Sequence, residues 1–159
     1  MKFDFDSLSE DLRYKLMLAT VLPRPIAWVT SQDSSGLVNA APFSFFNVFG
    51  TEPATVGIGI GRSSATQPKD TARNIRATEE FVVNLVPFAA AEKMRASSMP
   101  FPPDVSEVSA VSLQTVPSER VAPPRIVESP ASFECKFMQE IRLGKIGRAS
   151  CRERVSKQV

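Results

Sequence analysis

Most hydrophobic positions along the chain fall in short segments that alternate with polar or small residues, and turn-forming residues separate these segments. Every second residue from 131 to 137 is apolar and the residues between them are polar, which predicts a half-buried strand there. The predicted strands are 26–31, 37–46, 54–61, 81–86 and 131–143. Short strands joined by turns favour an antiparallel barrel. Pro42 predicts that the second strand lies at a sheet edge or contains a bulge.

Helical spacing is confined to a few segments. Between 7 and 20 the apolar residues recur every three or four positions, and Ser7 or Ser9 can cap the helix. The predicted helices are 7–20, 69–77 and 88–98. The stretch 99–130 is rich in proline, so we expect an extended excursion with one short strand at 112–116.

The segment 54–61 contains three glycines that alternate with three apolar residues. In a strand, Gly57, Gly59 and Gly61 would share one face and leave it bare. Glycines in a strand often mark the close approach of a ligand or of another backbone segment. The run is not the dinucleotide-binding fingerprint, because it lies within a strand and does not link a strand to a helix.

The amino-acid composition excludes several kinds of catalytic and metal site. The chain has 159 residues, 43% of them hydrophobic and 23% charged, which is typical of one globular domain. It contains no histidine and two cysteines, which excludes a Ser-His-Asp triad, a histidine base and a four-cysteine zinc site. We therefore assign no catalytic residue and no metal ligand, and we expect a cofactor to supply the chemistry.

The N-terminus has no secretory signal and no run of about 20 apolar residues occurs, so we expect a cytoplasmic protein without a membrane span.

The charge of the chain is uneven. Residues 145–159 hold five of the 19 basic residues and one of the 17 acidic ones, so the rest of the chain has a net charge of −2. This balance predicts neither nucleic acid nor an anionic membrane as a partner. The tail resembles a translated sequencing adapter, and a native basic tail is the alternative. We expect a domain over 1–144 and a non-native tail over 145–159, which we leave out of fold reasoning.

Three segments concentrate unusual polar and aromatic choices: 24–30 (RPIAWVT), 39–47 (NAAPFSFFN) and 69–75 (KDTARNI), the last followed by 81–85 (FVVNL). In this order they resemble the flavin reductase-like family, which includes the flavoredoxins. The resemblance covers about residues 8–143. It implies a mainly β fold with short helices, the FMN-binding split barrel. Family members continue beyond 131–143, so we expect a barrel that is incomplete at its C-terminus, with an open edge and weak FMN binding.

The resemblance also implies where FMN would bind. The 39–47 segment has small residues that let a ring approach the backbone and polar groups for its edge. The 69–71 turn has a lysine and the amide groups of a helix start for the phosphate, with Asp70 capping the helix. Arg62 and Ser63 would add a guanidinium and a hydroxyl. The predicted cofactor-binding residues are Thr30, Asn39, Pro42, Phe43, Ser44, Phe45, Asn47, Arg62, Ser63, Lys69 and Thr71.

Each of these assignments has a structural alternative. The phenylalanines and Trp28 could be core residues, and Ser44 and Asn47 could be satisfied turn residues. Lys69 and Thr71 could form an ordinary solvated helix start. Cys135 lies on the apolar face of a strand and is expected to be an inert buried thiol.

The family implies hydride transfer from NADH or NADPH to FMN, in which the protein binds and orients both rings. It also implies a homodimer with the flavin near the interface, and an electron-acceptor protein as an additional partner. Two alternatives stay open: a non-enzymatic FMN-binding electron carrier on the same barrel, and a related split barrel that holds another ligand.

Overall fold

The computed structural model describes residues 2–61, 67–143 and 146–153. Its main feature is a seven-stranded antiparallel sheet with the strand order β2-β1-β5-β8-β9-β4-β3, beside a small sheet of β6 and β7. The strands are β1 (Ala27–Gln32), β2 (Val38–Phe43), β3 (Phe46–Thr51), β4 (Ala54–Ile58), β5 (Glu80–Leu85), β6 (Thr115–Val116), β7 (Arg125–Ile126), β8 (Ser132–Leu143) and β9 (Ile146–Glu153).

The helices are short, and α2 packs against the sheet with Ala72 and Ile75 in the larger core. They are α1 (Glu10–Thr20), α2 (Asp70–Thr78), α3 (Ala91–Ala96) and α4 (Glu107–Ala110), with 3₁₀ turns at Phe5–Ser7 and Phe88–Ala90. Ser9 is the N-cap of α1, and its Oγ accepts from the Leu12 amide at 3.3 Å, which confirms one of the two expected caps. Within the described ranges, no helix is long and apolar enough to cross a membrane.

Strand β1 is buried on both faces. Ala27 and Val29 pack into the larger core, while Trp28 packs into a second core on the opposite side of the strand. The segment 88–128 supplies this second core, and the Trp28 Nε1 donates to the Ser97 Oγ at 3.0 Å. Trp28 is fully buried, so its interpretation as a core residue is confirmed.

The proline-rich segment is an outer layer held by carboxylates, rather than a simple extended excursion. Glu134 is 3% exposed and accepts from the amides of Glu119 at 3.0 Å and Arg120 at 2.7 Å. Glu80 accepts from the Ala122 amide at 2.7 Å. The polar face of the half-buried strand predicted at 131–137 is therefore not solvated at Glu134, because this layer covers the carboxylate and satisfies its charge.

The segment 37–46 was predicted as a single strand, but it is interrupted at residues 44–45. The chain then forms β3, which the alternation did not reveal and which pairs with β4. Strand β2 is the end strand of the sheet, so the edge position predicted from Pro42 is confirmed.

Strand β9 joins β8 to β4, with Lys136 paired to Arg152 and Val56 paired to Cys151. In the described residues β8 is therefore not an edge strand, because 146–153 pairs with both β8 and β4, and the sheet ends at β2 and β3. The sequence pattern missed β9 because its apolar residues follow no strand period. The non-native origin of residues 145–159 stays a prediction.

Two of the three glycines on the expected bare face, Gly57 in β4 and Gly59 just after it, are covered by phenylalanine side chains from the preceding segment. A Cβ at Gly57 would lie 1.8 Å from the Phe49 ring, and a Cβ at Gly59 would lie 2.7 Å from the Phe45 Cβ. The Gly59 amide also donates to the Phe45 carbonyl at 2.6 Å. These glycines therefore allow another backbone segment and its aromatic side chains to approach closely.

We predict that Gly59→Ala destabilises the protein by about 1–3 kcal/mol, because the Phe45 Cβ is too close to its own backbone to move aside. Thermal unfolding followed by circular dichroism measures the effect. Gly61→Ala is the matched control, since its added methyl would meet no described heavy atom within 4 Å. Equal melting temperatures for the two variants would contradict the packing argument.

Candidate functional site

The candidate site is built around the first turn of α2. Pro68 precedes the helix, Lys69 is the N-cap residue, and Asp70 is the first helical residue. Asp70 does not cap the helix as expected; its carboxylate forms an ion pair with the Arg73 guanidinium at 2.6 Å. A lysine side chain has no acceptor, so the N-cap residue leaves the first-turn amide groups without a side-chain cap.

Lys69 connects the two segments singled out for a ligand. Its exposed side chain places Nζ 5.7 Å from the centroid of the Phe43 ring, in a cation–π contact. Phe43 is the last residue of β2, and it is 5% exposed within the larger core. The core interpretation of Phe43 is therefore confirmed, and the cationic helix start lies beside the end of β2.

Asn39 and Thr71 lie together beneath this turn. We assign the Asn39 amide with Oδ1 accepting from the Thr71 hydroxyl at 2.9 Å and Nδ2 donating to Glu107 Oε1 at 3.0 Å, because this orientation pairs every donor with an acceptor. Glu107 Oε2 also accepts from the Ala40 amide at 3.1 Å. Asn39, Thr71 and Glu107 are all buried, so they form a closed network behind the turn.

Glu107 was not among the residues predicted from sequence. It lies on α4 within the proline-rich segment, where no periodic pattern singles out a buried carboxylate. The neighbouring Ser106 Oγ donates to the Val38 carbonyl at 2.5 Å, so α4 binds the backbone of the edge strand β2. Burial raises the pKa of the Glu107 carboxyl and the negative charge of Asp70 adds to it, against the opposing bond from Ala40.

The segment after β2 leads away from the core. Ser44 and Phe45 are half-buried, and Asn47 is exposed. The Phe45 ring packs edge-on against Tyr14 of α1, with ring centroids 6.1 Å apart. Asn47 lies in β3 and not in a turn, and its Oδ1 accepts from the Val48 amide at 2.8 Å.

Thr30 lies apart from the other candidates. Its hydroxyl donates to the Pro124 carbonyl at 2.6 Å, and Asn84 Nδ2 donates to it at 3.3 Å. The next residue of β1, Ser31, accepts from Asn74 of α2 instead, so Thr30 projects from the face opposite to α2. Its role as a flavin contact stays a prediction.

Three further candidates remain, one on β2 and two outside the described ranges. Pro42 is half-buried and pairs with Trp28, so it lies one position before the Phe43 contact. Arg62 and Ser63 lie outside the described residues. Together, the structure brings Asn39, Phe43, Lys69 and Thr71 to one place.

The start of α2 has the donor set that an anion requires. First-turn amides, the partial positive charge of the helix end and the Lys69 ammonium all lie at this turn. At the end of β2 beside it, the Phe43 ring is packed in the core beneath the Lys69 ammonium, and the neighbouring residues Pro42 and Ser44 are half-buried. These residues fit a phosphorylated molecule with a flat apolar part.

Comparison with solved structures defines the class of protein. A protein of Shewanella frigidimarina NCIMB 400 with a split barrel domain shares the fold with a TM-score of 0.84 at 21% identity, covering 98% of this chain and 78% of that one. The 2-nitrobenzoate 2-nitroreductase NbaA of Pseudomonas fluorescens is 36% identical, with a TM-score of 0.87, covering 96% of this chain and 74% of that one. The fold is therefore a mainly β split barrel with short helices, as predicted.

The family model of the flavin reductase like domain matches residues 18–149. An uncharacterized protein of Halalkalibacterium halodurans is 48% identical over 147 residues, which cover 92% of this chain and 70% of that protein. The chain belongs to the flavin reductase-like family, and its class of activity is flavin-related oxidoreduction. The resemblance drawn from segments 24–30, 39–47 and 69–75 is thereby confirmed.

We predict that Glu107→Gln changes the pH dependence of stability. The raised pKa of Glu107 favours its protonated form in the folded state. Protonation of Glu107 therefore contributes to the free energy of unfolding. This contribution is complete below the pKa of glutamate in the unfolded chain, and it is lost as the pH rises through the pKa of Glu107 in the folded protein. The variant should therefore gain stability relative to the parent protein between acid and neutral pH, by roughly 2–4 °C in Tm if the gain is about 1 kcal/mol.

Melting temperatures measured from pH 4 to pH 8 provide the test. Glu92→Gln is the matched control, because the Glu92 side chain is 86% exposed and pairs only weakly with Arg95 at 3.4 Å. If the melting temperatures of Glu107→Gln and of the parent protein changed with pH in parallel, the raised pKa of Glu107 in the folded protein would be contradicted.

Proposed function

We propose that the protein is an FMN-dependent oxidoreductase of the NAD(P)H:flavin reductase type. In this proposal the flavin phosphate binds at the start of α2, and the ring lies along the 39–47 segment. The observation that carries it is the Lys69 ammonium 5.7 Å from the Phe43 ring, which unites a cationic helix start with an apolar strand end. Membership of the flavin reductase-like family supports the flavin cofactor.

The phosphate contacts in this proposal are the Lys69 ammonium and the amides of the first turn of α2. The Thr71 hydroxyl is already donated to Asn39, so Thr71 would contribute its backbone amide. Arg62 and Ser63, which precede α2 in the sequence, are proposed as additional contacts. Asp70 carries the wrong charge for a phosphate, but its ion pair with Arg73 reduces that repulsion.

The ring contacts come from the half-buried backbone around Pro42 and Ser44. A proline and small residues allow a flat ring to approach a strand, and the Ser44 hydroxyl can donate to or accept from the ring edge. Phe45 and Asn47 follow on the path toward β3 and would limit the slot on that side.

Bound FMN would supply the hydride acceptor for NADH or NADPH. The protein's residues hold the two rings in register and exclude water from the slot, which brings the reacting atoms together. No side chain needs to change its protonation state in this step, and the chain has no histidine to serve as a base. We assign binding roles only.

Anaerobic stopped-flow mixing tests the reaction. The full chain loaded with FMN should lose its flavin absorbance when NADH or NADPH is added. FMN binding without bleaching by either nicotinamide, but with reduction by a protein donor, would identify the electron carrier instead. A different chromophore in the purified protein, identified by mass spectrometry, would overturn the FMN assignment.

Lys69→Ala tests the site within the same experiment. Loss of one charged phosphate contact should weaken FMN binding by about tenfold, while riboflavin, which has no phosphate, should bind almost unchanged. Lys15→Ala is the control, since Lys15 is an exposed lysine paired with Asp11 on α1. Equal losses for FMN and riboflavin would remove Lys69 from the phosphate site.

We further propose that two copies of the chain associate through α1 and the adjoining aromatic surface. Every residue of α1 is at least partly exposed, including Tyr14 at 52%, and Tyr14 packs against Phe45. Phe45 and Phe49 cover the same glycine face of β4, and Phe49 is 72% exposed. Exposed apolar surface of this kind favours a protein partner, and the family expectation is a second copy.

We expect light scattering after gel filtration to give the mass of a dimer for the parent protein and of a monomer for Phe49→Ser. Phe88→Ser is the matched control, because Phe88 is 97% exposed on a different element. A monomeric parent protein, or a monomeric Phe88→Ser variant alone, would contradict the proposed interface.

A further inference from the structure

Glu107 is the least expected member of the site. It comes from α4 of the outer layer, yet it is only 8% exposed and its carboxylate accepts hydrogen bonds from β2. One bond comes from the Ala40 amide at 3.1 Å and another from the Asn39 side chain at 3.0 Å. A buried carboxylate with two such donors holds both of them in fixed positions.

The network continues from β2 into α2. Asn39 Oδ1 accepts from the hydroxyl of Thr71, the second residue of α2, at 2.9 Å. Thr71 is 1% exposed, so water does not compete for this bond. A continuous chain of hydrogen bonds therefore runs from Glu107 through Asn39 to the first turn of α2.

The two ends of α2 are held by different contacts. Near its C-terminal end, the Arg76 guanidinium donates to both carboxylate oxygens of Glu140 on β8, at 2.9 and 2.8 Å. Between the ends, Ile75 is buried in the larger core. Loss of Glu107 would therefore leave the helix docked on the sheet, while Asn39, which bonds the first turn to β2, would no longer be held by a fixed carboxylate.

We propose that Glu107 is a positioning residue that fixes the first turn of α2 for recognition of the flavin phosphate. The inference rests on the proposed function. Glu107 does not itself contact the flavin; it acts through Asn39 and Thr71. Since Glu107 and Asp70 are both acidic, simple charge repulsion predicts the opposite result, namely tighter phosphate binding when Glu107 is removed. The sign of the effect therefore separates positioning from electrostatics.

The test compares FMN with riboflavin, because only FMN has the phosphate. Dissociation constants measured by flavin fluorescence quenching on the full chain should show about tenfold weaker FMN binding for Glu107→Ala. Riboflavin binding should stay within about twofold of the parent value. Glu128→Ala is the matched control, because Glu128 anchors the same outer layer through Lys93 at 2.7 Å, without a bond to β2 or α2.

Glu107→Gln guards against a folding failure of the alanine variant. Glutamine replaces one carboxylate oxygen with an NH2 donor, which cannot accept from Ala40 or Asn39, so the remaining oxygen must serve both donors and the network is weakened. We expect a smaller loss, about threefold, in FMN binding alone. The positioning role would be overturned if the variants lost affinity for FMN and riboflavin equally, so that the ratio of the two affinities stayed at the parent value. Tighter binding of FMN by the variants would overturn it as well. Failure of the parent chain to bind FMN would overturn the proposed function and this inference with it.

Discussion

The burial of β1 on both faces is the constraint on which the rest of the structure depends. One face of the strand closes the larger core with β5 and β8, and the other face needs a separate cover. The segment 88–128 provides that cover around Trp28 and Ile126. Backbone amides in the irregular parts of this segment have no partner within a helix or strand. Glu80 and Glu134 of the sheet accept hydrogen bonds from several of these amides.

The same cover builds the inner wall of the candidate site. Because β2 is the end strand, its outer edge exposes carbonyl and amide groups, and α4 binds them through Ser106 and Glu107. Glu107 then reaches Asn39, and Asn39 reaches Thr71 at the start of α2. One set of hydrogen bonds thus covers the outer edge of β2 and also holds the first turn of α2, where we propose that the phosphate binds.

Much of the element order could be predicted from sequence. The strands near 26–31, 54–61 and 81–86 and the helix near 69–77 follow from short apolar runs, glycine and proline positions and cap residues. Strands β3 and β9 could not be predicted, because neither segment alternates in hydrophobicity. The exposure of the apolar residues of α1 could not be predicted either, because helical spacing does not show whether another segment packs on the apolar face.

The candidate site divides in the same way. Its residue types could be recognised in the segments 39–47 and 69–75, because a lysine before a helix and a small-residue strand are local features. Their closeness depends on how α2 crosses the end of β2, which places Lys69 over Phe43. The separation of Thr30 follows from strand alternation, but only the outer layer decides which face is covered.

The sequence by itself determined the family, the order of most elements and the segments that carry the binding chemistry, because these rest on local spacing and residue type. Only the tertiary structure decided that Glu107 and Glu134 are buried and that Asn39 and Thr71 share a hydrogen bond. The physical reason is that burial and pairing of a polar group depend on segments far apart in the chain, and a periodic pattern contains no information about them.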